Sequence, residues 1–184
     1  QAEYYRRLRN TLRYVLGNLA GFGEAERVAA AEMPELERWV LHRLAELQAT
    51  LDKATTDYAY TGFYTALHNF CAVDLSAFYF DVRKDALYCD RPDSLRRRAC
   101  RTVLDTLHRC LTTWLAPVLV FTAEEAHLAR LADQGKPTDG ESIHLQLFAS
   151  VPAEWRDDAL AAKWAKVRDL RRVVTGALEK ARAA

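Results

Sequence analysis

The chain has 184 residues, half of them hydrophobic, and a formal net charge of +1 at pH 7. This length suits one domain, or one domain with an appendage. The near-neutral charge excludes a strongly basic domain that binds nucleic acid through its overall field, so any such contact must come from a local basic face.

The first predicted helix runs to about Leu19 and ends near Gly21. At 100° per residue, its apolar side chains fall in one stripe: Tyr4, Leu8, Leu12, Val15 and Leu19. Its polar side chains fall on the opposite side: Arg6, Arg9, Asn10 and Arg13. Guanidinium groups suit phosphate oxygens because their geometry is bidentate and their charge is permanent. The same pattern also fits a solvated face of an ordinary amphipathic helix.

The next two predicted segments are also helical. The second helix begins after Met33 and Pro34, and its polar face is formed by Arg38, His42, Glu46 and Lys53. The third segment, Thr61 to Tyr88, is rich in aromatic residues that we assign to the core. It predicts two helices or one broken helix, joined near Val73 and Asp74, with Asp74 as the cap.

The second half of the chain continues the helical pattern. Ser94 is the predicted N-cap of a helix over residues 95–115, which carries a second basic group: Arg97, Arg98, Arg101 and Arg109. Pro117 ends this helix. Thr122 and Glu125 have the spacing of a capping box that begins a short helix to about Leu131.

Three parts follow from this order of elements. Residues 1–132 are predicted to form an all-α helix bundle, and residues 133–156 a loop and connection in which 143–148 alternate as in an extended segment. Residues 157–184 form a final helix, which either packs on the bundle or leads to a further module. Since Gln1 opens on a helical pattern without Met, we expect a piece of a longer protein.

No motif of the sequence predicts catalysis or metal binding. Phosphate-binding loops rich in glycine and the Gly-x-Ser-x-Gly motif are missing, and the histidines are scattered. The four cysteines lack the spacing of a zinc site or a disulfide framework, which favours a reducing cytoplasm. No apolar run approaches the length of a membrane span, and no signal peptide is recognisable.

Three segments of the chain resemble one known family. They are Tyr5–Leu19, Asn69–Cys89 and Leu115–Ala126, in this order and at matching spacing. They are similar to the opening helix and two later signatures of the anticodon-binding domain of isoleucyl-tRNA synthetase, over nearly the whole chain. The resemblance implies an all-α bundle of the class I synthetase type, which docks the anticodon stem-loop of the isoleucine tRNA.

The resemblance also assigns functions to residues and partners. Arg9, Asn10 and Arg13 match motif positions of the opening helix beside the anticodon arm. With Arg6, and with Arg97 and Arg101 in second place, they are our predicted tRNA-binding residues. The chain lacks the His-Ile-Gly-His and Lys-Met-Ser-Lys-Ser motifs, an editing insertion and the cysteines of a zinc module. We therefore expect no cofactor here; ATP and Mg, with the catalytic and editing domains as partners, belong to a monomeric cytoplasmic parent enzyme.

Two alternatives remain at this point. The chain could belong to the sister valyl or leucyl enzyme, which shares the helical architecture. It could also be a helical module that binds another protein, with Trp39 or Trp155 as the anchor residue.

Overall fold

The protein is described here by a computed structural model that covers residues 2–183. Within this range every regular element is helical and no β-strand occurs, so the predicted all-α class is confirmed. The α-helices are α1 (Ala2–Leu19), α2 (Glu35–Asp57), α3 (Tyr60–Asn69), α4 (Phe80–Tyr88), α5 (Leu95–Leu115), α6 (Val120–Asp133) and α7 (Asp158–Ala183). None of these helices is long and apolar enough to cross a bilayer.

Helix α5 forms the centre of the bundle. It packs against α1, α2, α4 and α6, and this explains why its polar residues are buried along with its apolar stripe. Near its end, the Trp114 indole donates a hydrogen bond to the Ala149 carbonyl at 3.3 Å, and the Ala149 amide donates to Thr113 Oγ1 at 3.1 Å. These two bonds hold the connection between α6 and α7 against the core.

Helix α1 has the predicted two faces. Leu12, Val15 and Leu19 are buried, and Gly21 follows with a φ of +67°, a conformation that glycine adopts without strain. Tyr4 does not join the buried stripe: it is 52% exposed, and its ring stacks on His68 with centroids 3.7 Å apart.

Two α-helices are joined around Val73 and Asp74 as predicted, but the join is a change of helix type and not a break. A π-helical segment, Phe70–Tyr79, joins α3 to α4 without interruption, and the Phe80 amide bonds to the Leu75 carbonyl five residues back. The segment's buried residues recur in pairs every four residues: Phe70, Cys71, Asp74, Leu75, Phe78 and Tyr79. A repeat of four exceeds the α-helical 3.6, so the wider turn keeps all six on the core side. Asp74 caps nothing and instead accepts from Arg43 and Arg168.

Two other local predictions are also wrong. Helix α6 begins at Val120, two residues before Thr122, so Thr122 and Glu125 do not form a capping box. The Thr122 hydroxyl instead lies 3.2 Å from the Tyr5 hydroxyl on α1. Residues 143–145, expected to be extended, form a 3₁₀ turn in which Ile143 is buried and its amide donates to Glu124.

Helix α7 packs on the bundle through its first half. Trp164 lies against Trp39 and Phe78, and Arg168 pairs with Asp74 at 2.6 Å. His42, expected on the polar face of α2, is completely buried, and its Nδ1 accepts a hydrogen bond from the Asp157 backbone amide at 2.9 Å. The second half of α7 exposes its apolar side chains.

Candidate nucleic-acid interface

The exposed face of α1 carries the four residues predicted from its pattern. Arg6, Arg9, Asn10 and Arg13 are all exposed, while the opposite face of the helix is buried against α5 and the π-helical segment. The amphipathic pattern therefore places these side chains as expected. Whether they bind RNA remains a prediction.

Carboxylates neutralise part of this face. Glu3 pairs with both Arg6 and Arg7, and these bonds lower the pKa of the Glu3 carboxyl. Arg9 Nη2 lies 4.0 Å from Glu125 Oε2 on α6, at the outer limit of an ion pair. Arg13 has no ion pair or hydrogen bond from its side chain to any residue of the range 2–183. Among the four positions, Arg13 thus offers the most available positive charge.

Two grooves flank the exposed ridge of α1, and Arg13 and Gly17 line both of them. The α1–α6 groove adds Arg9, Leu12 and Leu16 from α1, with Thr122, Glu125, Ala126 and Ala129 from α6. The α1–α4 groove is lined by Asn10, Arg13, Tyr14, Gly17, Asn18 and Tyr88. Each groove has a volume of about 410 Å³.

One wall of the α1–α4 groove is built from packed and hydrogen-bonded side chains. The Tyr14 ring stacks on Phe80 with centroids 4.2 Å apart, and its hydroxyl donates to the Phe80 carbonyl at 3.5 Å. Partial burial and the nearby Tyr88 phenol raise the pKa of Tyr14, which keeps its hydroxyl neutral. The side-chain Nδ2 of Asn18 donates a hydrogen bond to the Tyr14 carbonyl at 2.9 Å.

Tyr88 is a groove residue that the sequence reasoning missed. It is the last residue of α4 and remains 65% exposed, although its aromatic segment was assigned to the core. The sequence signal for its exposure was that Tyr88 falls outside the four-residue repeat of buried pairs that begins at Phe70. Arg97, half-buried on α5, donates a hydrogen bond to the Leu87 carbonyl at 3.3 Å. Leu87 is the residue that precedes Tyr88, so Arg97 lies near the end of α4.

Arg101 does not lie on the exposed face where it was expected. It is only 6% exposed, and its guanidinium pairs with Glu26 at 2.7 Å while donating to the Asn18 and Ala20 carbonyls. These carbonyls belong to the end of α1, where a cation also complements the helix dipole. Arg101 therefore anchors α1 and is not available to a phosphate.

The predicted second basic group does not form one surface. Arg98 donates to the Ala25 and Glu26 carbonyls, whereas Arg109 is exposed and lines a separate cleft with Lys136 and Trp155. The sequence reasoning also missed Arg130, which is buried and donates to the Leu19 and Phe22 carbonyls. Two arginines thus hold the end of α1 from inside the protein.

No part of this surface resembles a metal centre: nowhere in residues 2–183 do three His, Cys, Asp or Glu side chains converge around a possible ion. The three cysteines at 71, 100 and 110 are buried, and burial raises the pKa of each thiol to about 12.

Comparisons with known proteins place the chain among similar sequences. The family described as "Anticodon-binding domain of tRNA ligase" matches residues 37–184. The chain is 54% identical over 182 residues to the isoleucine–tRNA ligase of Gluconobacter oxydans, covering 99% of this chain and 18% of that protein. It is 55% identical over 179 residues to that of Ruegeria pomeroyi, covering 97% and 18% respectively. It is 52% identical over 177 residues to that of Agrobacterium fabrum, covering 96% and 18%.

The chain therefore spans about a fifth of the length of these curated relatives. Helix α1 lies before the stretch that the family model matches. The alignment with the Gluconobacter protein omits no more than two of the 184 residues, so it includes nearly all of α1.

Proposed function

We propose that this chain, which belongs to the family of anticodon-binding domains of tRNA ligases, binds the anticodon stem-loop of the isoleucine tRNA. One observation carries the proposal: an exposed helix presents Arg13, which has no ion pair within residues 2–183, between two grooves, and the other side of this helix is packed in the bundle. The names of the relatives support the choice of isoleucine.

The phosphates of the stem-loop supply most of the attraction in this proposal. Arg13 and Arg9 bind phosphate oxygens on the ridge of α1, and Arg6 contributes when its pairing with Glu3 opens. Phosphate contacts of this kind position an RNA without reading its sequence. Reading falls to the groups in the grooves, because the bases of a loop are unstacked and accessible.

The remaining functions belong to a longer protein in this proposal. That protein is a cytoplasmic, monomeric isoleucine–tRNA ligase whose catalytic and editing domains lie outside this chain, and whose ATP and Mg serve the catalytic domain. The chain covers 18% of each of two curated relatives, which supports placing further domains outside it.

The alternative of a protein-binding module loses its anchor residues. Trp39 is buried in the core, and Trp155 is half-buried against it. The valyl and leucyl alternatives predict different RNA preferences, so one binding series addresses them: stem-loops with isoleucine, valine and leucine anticodons. We expect the isoleucine stem-loop to bind most tightly.

The main test removes the two guanidiniums of the ridge. We expect an Arg9→Ala/Arg13→Ala variant to bind the isoleucine stem-loop roughly 10- to 100-fold more weakly at low salt, because two charge-assisted contacts are lost. The slope of log affinity against log salt should fall by about 0.7–0.9 for each phosphate contact removed. Fluorescence anisotropy titrations at several salt concentrations measure both quantities.

A matched variant separates this effect from simple loss of charge. Arg156 and Arg172 are exposed, and each pairs with an exposed aspartate far from α1 in sequence. The Arg156→Ala/Arg172→Ala variant loses the same charge and should bind almost as the wild type does. Equal weakening of the two variants, or none in either, would remove α1 from the proposed interface.

A further inference from the structure

We infer that the α1–α4 groove receives one unstacked nucleobase of the loop, packed against the ring of Tyr88. This inference rests on the proposed function and adds to it a position for base recognition. Its basis is the set of groups that the fold brings together at the groove, described in the following paragraphs.

The Tyr88 ring has the position of a stacking surface. It stands at the end of α4 and is exposed, and in residues 2–183 no other aromatic ring packs against it. Single-stranded nucleic acids commonly stack their bases on side chains of this kind. Arg13 lines the same groove, so a phosphate held there would deliver its own nucleotide to the ring.

Two amide side chains are placed to meet the edge of a base. Asn10 makes no side-chain hydrogen bond within the described range, which leaves both its donor and its acceptor free. Asn18 uses its Nδ2 on the Tyr14 carbonyl and keeps its oxygen for a base N–H. A side-chain amide can pair with the edge of a base by using its donor and its acceptor together. A phosphate needs only donors, and an apolar ligand needs neither.

Gly17 leaves open space beside the groove, as the helical glycine Gly62 does elsewhere on the surface. It lies in the helical interior of α1, its φ is not positive, and an added Cβ would meet no atom within 4 Å. Neither backbone strain nor protein packing requires glycine there, although glycine weakens a helix. Without a side chain at Gly17, a ligand can approach the backbone of α1 closely at the margin of the groove.

The charge and size of the groove agree with this ligand. Its six lining residues include one cation and no carboxylate, which disfavours a cationic ligand and suits a nucleotide. Its volume of about 410 Å³ falls in the range of small-ligand clefts, about 300–1,000 Å³.

The test combines changes in the protein with changes in the RNA. We expect Tyr88→Ala to weaken binding of the isoleucine stem-loop about 5- to 100-fold, because stacking on one base is lost, and Tyr88→Phe to restore most of it. With a stem-loop whose loop nucleotides are abasic, Tyr88→Ala should bind as the wild type does. Tyr58→Ala, which removes an exposed tyrosine elsewhere, serves as the control.

Gly17 supplies a variant that should fold normally, because an added Cβ would meet no atom within 4 Å. Gly17→Ala should raise the melting temperature slightly and yet weaken binding of the intact stem-loop several-fold. Gly62→Ala, at another exposed helical glycine with open space around it, should leave binding unchanged. Such opposite changes in stability and affinity would not arise from a purely structural role.

The two proposals fail in different ways. If the wild type does not bind the stem-loop, the proposed function is wrong. If the wild type binds, but Tyr88→Ala and Gly17→Ala bind equally well, or Tyr88→Ala weakens the abasic stem-loop by the same factor, then the groove does not hold a base.

Discussion

His108 shows how the core controls a single titratable group. It lies between α5 and α6, and its Nε2–H donates to the Ala126 carbonyl at 3.1 Å. Burial lowers the pKa of His108 to about 4, against the smaller opposing effect of the Ala126 bond. The folded protein therefore keeps this ring neutral, whereas the unfolded chain protonates it near pH 6.5.

A pH dependence of stability follows from this shift. The contribution of His108 is complete above pH 6.5 and declines as the pH falls towards 4, because the unfolded state binds the proton first. We expect the wild type to lose about 2 kcal/mol from this site between pH 7 and pH 5. Urea unfolding of His108→Gln should show a smaller loss over the same interval.

His144 gives a matched control for this measurement. It is exposed, so His144→Gln should reproduce the pH dependence of the wild type. A pH dependence in His108→Gln equal to that of the wild type would mean that the folded state tolerates the charged ring.

At the scale of elements, the position of α1 depends on arginines beneath its end. Arg101 and Arg130 donate hydrogen bonds to four backbone carbonyls between Asn18 and Phe22. The guanidinium carbons of these two arginines and of Arg27 lie 5.5–5.9 Å from the centroid of the Phe22 ring. Arg27 and Arg130 also pair with Asp105; burial opposes ionisation of Asp105, but their hydrogen bonds lower its pKa overall. This network fixes the helix that carries the candidate interface.

Loss of Arg101 should therefore affect stability more than RNA binding. We expect Arg101→Ala to lower the free energy of unfolding by about 2–4 kcal/mol, because Glu26 and two carbonyls lose a buried charged partner. The variant that remains folded should keep the wild-type salt dependence of RNA binding. Urea denaturation and anisotropy titrations measure these two results.

An exposed arginine provides the comparison. Arg172 pairs with Asp169 on the surface of α7, so Arg172→Ala should change stability by less than about 0.5 kcal/mol. If Arg101→Ala leaves stability intact and reduces the salt dependence, then Arg101 contacts phosphate and its buried pairing is not maintained in solution.

At the scale of the whole molecule, the core is centred on α5 and becomes thinner towards the end of α7. One cluster of buried apolar residues joins α1 through α5 with α6 and the start of α7, and Leu160 is the last buried member. Beyond Thr175, α7 makes no side-chain hydrogen bond to the bundle within the described residues. Local stability should follow this gradient.

Native-state hydrogen exchange can measure the gradient. We expect the amides of α5 to exchange most slowly, near the rate set by global unfolding, and those after Thr175 to exchange fastest among the helices. The first half of α7 should lie in between, because Trp164 and Arg168 hold it to the bundle. Equal protection along α7 would contradict this description.

Helix positions follow closely from the local pattern of the sequence. The bounds of α1 and α5 match their apolar periodicity, and Gly21 ends α1 as expected. The π-helical segment was not foreseen, because the expectation of a 3.6-residue period turned a four-residue repeat into a break. The start of α6 was predicted too late in the chain. The turn after Pro117 ends at Leu119, which is the N-cap of α6, so Thr122 already lies inside the helix.

The family and the two faces of α1 could be read from the amino-acid sequence, because both depend on residue types and their spacing along the chain. The separation of Arg13 from Arg101 could not: both are arginines on amphipathic helices, and only folding brings Glu26 and the end of α1 against Arg101. Tyr88 and Asn10 are far apart in the sequence, and only the packing of the helices makes them line the same groove. Local periodicity fixes which way a side chain points from its own helix, whereas the partners that bury or expose it come from elements distant in sequence.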